Sequence, residues 1–401
     1  MIIGVDDTDS IDGMCTTYLA ANLFRRFRAG GYPKIVRLNP NIPYKTRGNG
    51  AVSFEAEGGE DIEDVVIDYV KKNAHLAAEG TNPGVVFVDD CANIDILNEF
   101  YKRAVSEIVT IEDAKAAAKK AKAQTHGFKN GRGIIGALAA AGAALDDRTY
   151  ELIAYRKPEN YGKPRWVDEE SVIQMDKKTN TFNNFDYETN RVLIMPRGDD
   201  PILCGIRGQT PLDVESAWKM LKTEPVEFVQ IFETNQGTDA HLRDKRIADL
   251  KPYDCARIKA KVSSKPRTIA GGHVFFGISD GTKMIECAAY EPTGSFRDRA
   301  RALIIGDEVT ISGCIGKYTG TLNLEKFEVL SLEKQYEEIR PVCCGRNAKS
   351  EGKDKGFQCK TCGRRFPESA VVFRQVERGI KIGSYEVTAG ARRHLSKPLN
   401  R

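Results

Sequence analysis

The first apolar run, Ile2–Val5, is short and gives way to Asp6-Asp7-Thr8-Asp9-Ser10, a strand pattern that stops in turn residues. From Thr16 to Arg28 the spacing changes. Leu19, Leu23, Phe24 and Phe27 share one helical face, and Gly30-Gly31 closes the segment. Val36–Leu38 and Gly50–Phe54 read as strands around the loop 39–49. Residues 60–72 are amphipathic, Val85–Val88 is a buried strand running into Asp89-Asp90, and 95–107 has helical spacing. Strand–helix alternation of this kind indicates an α/β domain.

Further along, 112–124 is an Ala/Lys helix broken at His126-Gly127, and 127–142 is rich in Gly and Ala. Glu151–Tyr155 reads as a strand and 156–201 as polar and loop-rich. Residues 211–222 read as a helix capped near Thr210 or Asp213, and Phe228–Thr234 as a strand entering Asn235–His241. After Lys251-Pro252 the character changes to short β runs: Ala256–Ser263, Gly272–Ser279, Lys283–Ala289, Glu308–Gly316 and Thr321–Leu330. Ser279-Asp280-Gly281-Thr282 is a hairpin-turn signal. Five strands with a helix over 294–303 before the fourth fit an OB-fold, with another small barrel or sandwich as the alternative. Residues 341–366 form a cysteine module, and 367–401 are basic and weakly patterned.

A length of 401 residues exceeds one ordinary core and implies about two to four domains. No apolar run approaches the roughly 18–20 residues that span a bilayer. The start has no basic segment before its apolar run, so a signal peptide is not expected and the cytoplasm is. Net charge is +4, but residues 1–100 carry 9 Lys and Arg against 16 Asp and Glu, while 341–401 carry 14 against 5. A basic end suits a phosphate backbone or is a solvated tail. Six cysteines are scattered and four cluster, which reads as reduced thiols plus one metal site rather than a disulfide scaffold.

Asp6, Asp7 and Asp9 at a strand end can converge on Mg²⁺, which takes one or two carboxylates plus phosphate oxygens. The alternative is a cluster capping the next helix. Thr16-Thr17 opens that helix, where hydroxyls and amides can meet phosphate. Gly131-Arg132-Gly133 lies in a glycine-rich loop entering an apolar helix, either a phosphate cradle or a close packing surface. It is not a Walker A loop. Lys45 and Arg47 flank another compact polar loop. Cys359-Lys360-Thr361-Cys362 is a zinc-knuckle pattern, with redox chemistry as the alternative. Its partner half, Cys343-Cys344, is unusual in having no spacer.

Ile3-Gly4-Val5-Asp6-Asp7-Thr8-Asp9-Ser10 with Gly13-Met14-Cys15-Thr16-Thr17 closely resembles the N-terminus of the archaeal tRNA(Ile2) 2-agmatinylcytidine synthetase family. Similar in turn are residues 37–50, Gly131–Leu138, Gly205-Ile206-Arg207-Gly208 and Thr234–His241, so the resemblance covers essentially the whole chain. It implies a kinase-like α/β domain over 1–125, a ferredoxin-like domain over 126–250, an OB-fold over 251–335, a zinc ribbon over 340–367 and a basic tail over 368–401. It implies an ATP-dependent ligase that attaches agmatine to C2 of the wobble cytidine, with the anticodon loop and acceptor end of the tRNA as partners and no membrane. By that resemblance Asp6, Asp7 and Asp9 hold Mg²⁺–ATP and Thr16 is a phosphorylatable threonine. Thr17, Lys45, Arg47, Gly131, Arg132 and Gly133 hold ATP, and Cys343, Cys344, Cys359 and Cys362 hold zinc. Arg207, Asn235, Asp239 and His241 bind substrate, with Asp89, Asp90 or Asp239 receiving the agmatine guanidinium. The competing readings are another ATP-dependent tRNA cytidine modifier and an RNA-binding protein without catalysis.

Overall fold

The structure is a computed structural model and describes all residues except 46–47, 58, 60, 90–92 and 318–319. Arg47 and Asp90, both singled out above, lie outside the described residues. The first elements are β1 (Ile2–Asp6), α1 (Thr16–Arg26), β2 (Lys34–Arg37), β3 (Gly50–Glu55), α2 (Ile62–Asn73), β4 (Gly84–Val88), α3 (Ile94–Ser106), α4 (Ile111–Ala121), β5 (Gln124–Gly127) and α5 (Ile134–Ala141). Next come β6 (Thr149–Arg156), α6 (Glu169–Lys178), β7 (Thr181–Phe182), the pair β8 (Phe185–Asp186) and β9 (Arg191–Val192), β10 (Ile202–Gly208), α7 (Pro211–Met220) and β11 (Val226–Thr234).

One nine-stranded sheet runs β5-β4-β1-β3-β2-β11-β6-β10-β7. It contains two β-α-β-β-α-β units, β1–β4 and β6–β11, each with the strand order fourth, first, third, second. Neighbours are antiparallel throughout except β2 and β11, whose parallel pairing (Glu233 with Lys34, Thr234 with Ile35) joins the units edge to edge. The first unit is therefore mixed α+β, where alternation alone reads as α/β. Each helix crosses between strands that flank a third, antiparallel one, so alternation along the chain does not become parallel pairing. The sheet also continues past residue 125, because β5 pairs with β4 and α5 packs under β1, β3 and β4.

Both faces of the first unit are covered. Ile3, Val5, Phe54, Val85 and Phe87 pack on α1 and α2, while Val36, Ala51, Val86 and Val88 pack on α3, α4 and α5. In the second unit Leu152, Ala154, Cys204 and Ile206 pack on α6 and α7. Helix α6 falls inside the stretch read as loop. Its apolar side is small, with only Val172 and Met175 as buried large apolar groups, and Asp168 caps it by accepting the Ser171 N–H. Helix α7 carries a capping box of Thr210 and Asp213.

The strands β12 (Arg243–Asp244), β13 (Cys255–Val262), β14 (Arg267–Thr268), β15 (Val274–Ser279) and β16 (Met284–Ala289) follow, then α8 (Phe296–Arg301), β17 (Glu308–Ile315) and β18 (Thr321–Ser331). Pairing of β13-β17-β18-β16-β15 and of β15 back to β13 closes a five-stranded barrel. Cys255 and Cys314 face each other on β13 and β17 and are joined as a disulfide. This corrects the reading of all the scattered cysteines as reduced: sequence spacing does not reveal that register places these two opposite each other. Beyond the barrel lie β19 (Tyr336–Ile339), β20 (Val342–Cys343), β21 (Arg346–Asn347), β22 (Lys349–Ser350), β23 (Phe357–Gln358), β24 (Arg365–Phe366) and β25 (Val372–Gln375). The basic C-terminal segment is folded rather than a solvated tail. Its strand β26 (Gly383–Glu386) pairs with β18, and Leu395 is buried in the core beneath α3 and α5.

Candidate active site

Side-chain alternation along strands builds the site. On β6, Leu152 and Ala154 face the helices α6 and α7, so Glu151 and Ile153 face the other way; on β10 the same parity turns Gly205 and Arg207 out beside them. These four, with Arg37 of β2, line a cavity of about 640 Å³. Asp6, Asp7 and Asp9 enter it from the end of β1, Cys15, Thr16 and Thr17 from the start of α1, and Arg132, Gly133 and Gly136 from the start of α5.

Helix α5 lies unusually close to β1 and β4. A Cβ on Gly136 would overlap the Asp6 carboxylate, and one on Gly133 would meet the backbone of Gly84 and Asp6. Of the two readings of the glycine-rich loop, close packing accounts for Gly133 and Gly136. Gly131, with φ of +71°, turns the chain and is not on the cavity wall. Arg132 is on it, its guanidinium 4.1 Å from the centre of the Tyr44 ring. Lys129 is engaged by the Ala78 carbonyl at 2.6 Å.

Burial drives the Asp6 carboxyl well above the ordinary carboxylate range, and neighbouring Asp7 and Asp9 push it further. Asp7 rises to about 7, again from burial first, although its carboxylate accepts the Asn82 N–H at 3.1 Å. Crowded acids with this strain fit a divalent cation, which would hold them ionised. The Thr16 hydroxyl is buried and accepts from the Thr8 N–H at 3.3 Å and the Thr8 hydroxyl at 3.1 Å. Its N-cap, Cys15, makes no side-chain capping bond, so the first amides of α1 are open to an anion.

The opposite wall is cationic and was only partly legible. Glu151 is buried between Arg207, at 2.8 Å, and Arg37, at 3.6 Å, and also accepts from Gln236. Burial alone would raise its carboxyl, but Arg207 and then Arg37 hold it below the ordinary range. The signal for Glu151 was a charge inside an apolar strand run. Lys45 lines the cavity and donates to the Pro40 carbonyl. His394, far away in sequence, lines it too.

Three residues predicted to bind substrate do not line the cavity. Asn235 brackets the Arg37 backbone, accepting its N–H at 2.8 Å and donating to its carbonyl at 2.9 Å, which extends the β2–β11 joint. Asp239 pairs with Lys326 at 2.9 Å and accepts the Lys397 N–H at 2.7 Å. His241 is buried with Nε2 2.9 Å from Glu325. Asp89 is exposed and off the cavity wall.

The four clustered cysteines converge, with the Cys343 sulfur 3.5 Å from Cys362 and 3.9 Å from Cys344. Positive φ at Cys344 (50°) and Gly345 (73°) turns the chain so that adjacent thiols reach one point, which resolves the missing spacer. Amides of Cys362 and Thr361 hold the Cys359 thiol down, at about 6. Four sulfurs so placed fit a tetrahedral zinc ion.

Family models for the TiaS TCKD domain, the TiaS FLD domain and the TiaS C-terminal zinc ribbon domain match residues 2–61, 131–241 and 340–380. The tRNA(Ile2) 2-agmatinylcytidine synthetase TiaS of Pyrococcus horikoshii is 46% identical over 412 residues, 99% of this chain and 96% of the relative. The chain belongs to the tRNA(Ile2) 2-agmatinylcytidine synthetase family. Among solved structures of the family, the TiaS–tRNA(Ile2)–ATP complex is 43% identical with a TM-score of 0.92, covering 100% of this chain and 97% of that one. The TiaS–tRNA(Ile2)–AMPCPP–agmatine complex is 40% identical with a TM-score of 0.89, covering 100% and 96%. The chain itself has a mixed α+β fold with a five-stranded barrel and a C-terminal zinc ribbon domain. Among its described residues no helix is long and apolar enough to cross a membrane.

Proposed function

We propose that this chain uses ATP to join agmatine to C2 of the anticodon wobble cytidine of tRNA(Ile2), so that the tRNA reads AUA. The observation that carries this reading is one cavity in which buried carboxylates and the open first turn of α1 meet Arg37, Lys45 and Arg207. Relatives matched end to end, in complexes whose names include tRNA, ATP and agmatine, support it.

The C2 carbonyl of cytosine is a poor electrophile. Transfer of the ATP γ-phosphoryl group to its oxygen makes a leaving group, which the agmatine amine displaces. Asp6, Asp7 and Asp9 are the residues that would hold Mg²⁺, which when bound neutralises charge on phosphate oxygens. Thr16 and Thr17 bring hydroxyls and amides to the phosphates, and Thr16 is the candidate phosphorylated side chain. Arg132, Lys45 and Gly133 line the nucleotide side. Arg37 and Arg207, fixed by Glu151, stabilise charge as it builds on the transferring group. In this reading the first β-α-β-β-α-β unit with β5 and α5 is the kinase-like domain, the second is the ferredoxin-like domain, and the barrel is the OB-fold. With the basic ribbon end, the barrel holds the tRNA, and an unpaired wobble cytidine can be splayed into the cavity. The reaction belongs in the cytoplasm.

Labelled agmatine, ATP, Mg²⁺ and unmodified tRNA(Ile2) test the reading. Label should enter the tRNA with the wild-type chain and fall by at least ~10²-fold with Asp7→Ala, in line with losses from removing transition-state charge stabilisation. No incorporation by the wild type would overturn the reading; full incorporation by Asp7→Ala would remove Asp7 from the site.

A further inference from the structure

The C-terminal segment ends in a clamp. Asp239, turned by a φ of +60°, accepts the Lys397 N–H and pairs with Lys326, whose ammonium also reaches the Lys397 carbonyl at 2.6 Å. The Gly237 N–H donates to the His394 carbonyl at 2.8 Å, and the Thr238 and Asp239 amides donate to the Leu395 carbonyl. Leu395 is buried, and Arg401 pairs with Asp147 at 2.6 Å. All of this fixes a backbone whose one side chain on the cavity wall is His394.

The imidazole stands beside the loop at Gly48, 3.7 Å from where a Cβ on that glycine would lie, and its ring has no hydrogen-bond partner among the described residues. Arg37, Lys45 and Arg207 surround it, Glu151 lies between Arg37 and Arg207, and Arg393 beside it is paired with Glu325. His394 is exposed to the open cavity; its enclosure among protein groups, then Arg37, Arg207 and Lys45, disfavour a proton on the ring and lower it from the ordinary histidine range. Other groups on the wall are committed. Glu151 serves two arginines, Asp200 accepts from Arg165 at 3.1 Å, and the Cys15 thiol is pushed up to about 11. Asp6, Asp7 and Asp9 are the proposed cation ligands.

We propose that His394 is a catalytic base for agmatine transfer, placed in the cavity by the clamp at Asn235–His241. This rests on the function proposed above. The amine enters as its free base. Its nitrogen forms the bond to C2 as the C2–O bond to the phosphoryl group breaks, the electron pair leaves with inorganic phosphate, and the proton lost from nitrogen goes to His394. Nucleotide and tRNA phosphates seated on Arg37, Lys45 and Arg207 offset the cations that oppose protonation of the ring.

The test compares wild type, His394→Ala and His394→Asn in single-turnover reactions with ATP, unmodified tRNA(Ile2) and agmatine, recording ATP cleavage and agmatine incorporation separately. Incorporation should fall about 10²- to 10⁴-fold, the usual range for loss of a general base. The KM for agmatine should move little, and tRNA-dependent ATP cleavage should persist, which also reports that the variants are folded. Asp239→Asn should give a milder version of the same defect and add nothing to His394→Ala. Equal incorporation by variant and wild type, an effect confined to KM, or an equal loss of ATP cleavage would each overturn the assignment. A wild type that cleaves no ATP with tRNA would instead overturn the functional reading itself.

Discussion

At the scale of single residues, Gly136 sets how near α5 comes to the end of β1. No side chain fits there, because the Asp6 carboxylate occupies the space a Cβ would take. Gly136→Ala should therefore lower stability by about 1–3 kcal/mol, the usual cost of overpacking, and weaken Mg²⁺–ATP binding together with it. Thermal unfolding with and without the nucleotide checks both. Glu325 offers a pH signature away from the cavity. Burial would raise its carboxyl, but His241, then Arg393 and Lys326, bring it to about 2 from an ordinary 4.5. The folded state thus binds fewer protons than the unfolded one across that window. Its stabilising contribution, about 3 kcal/mol by proton linkage, is full above pH 4.5 and lost as pH falls toward 2. Glu325→Gln should lose less stability between pH 6 and pH 3 than wild type does, measured by denaturant unfolding. An identical pH slope would mean another group carries the acid sensitivity.

Elements meet at one narrow seam. The two units are joined by the parallel β2–β11 pairing, reinforced by Asn235 on the Arg37 backbone, by the Arg37–Glu151 pair, by Tyr18 against Tyr155 and Phe228, and by a small core of Ala20, Ala21, Ile35, Val52, Ile153 and Phe232 under α1. Removing the Asn235 amide leaves both Arg37 backbone groups without that partner, at a cost of about 1–3 kcal/mol. Asn235→Ala should speed amide exchange in β2 and β11 well before β6 or β1. It should also lower activity without touching the cavity, since Arg37 stands on the seam. Most strands and helices of both units were readable from periodicity, whereas α6, β5, β7 and β10 were not. The first has only a thin apolar side, and the second, Gln124–Gly127, is exposed and held by its pairing with β4.

For the whole molecule, the ribbon is its own small unit, with β20–β24 pairing among themselves and little apolar area to bury. Its order should depend on metal. Strong chelation should release about one zinc ion per chain and collapse amide protection over 340–366, while the nine-stranded sheet and the barrel keep theirs. Retained protection in the ribbon after complete metal loss would contradict this. The charge imbalance of the basic last segment is partly neutralised in three dimensions, by acids outside the acidic first quarter: Arg401 and Lys397 pair with Asp147, and Arg393 with Glu325. The basic end is therefore partly spent inside the molecule rather than wholly offered to a phosphate backbone.

By itself the sequence determined the local matters: the carboxylates closing β1, the threonines opening α1, the cysteine pairs and the five strands of the barrel. Each depends on neighbours a few residues away, on periodicity, capping and turn chemistry. Only the tertiary structure decided which charges meet. Glu151 could be seen as a charge in an apolar strand, but its partners Arg37 and Arg207 come from strands far away in sequence. The Asn235–His241 run has the look of a binding loop and instead clamps the C-terminal segment, because its hydrogen-bond partners lie more than 150 residues on, at Lys397, or on another sheet. His394 enters the cavity for the same reason: long-range pairing and packing, to which no local pattern answers.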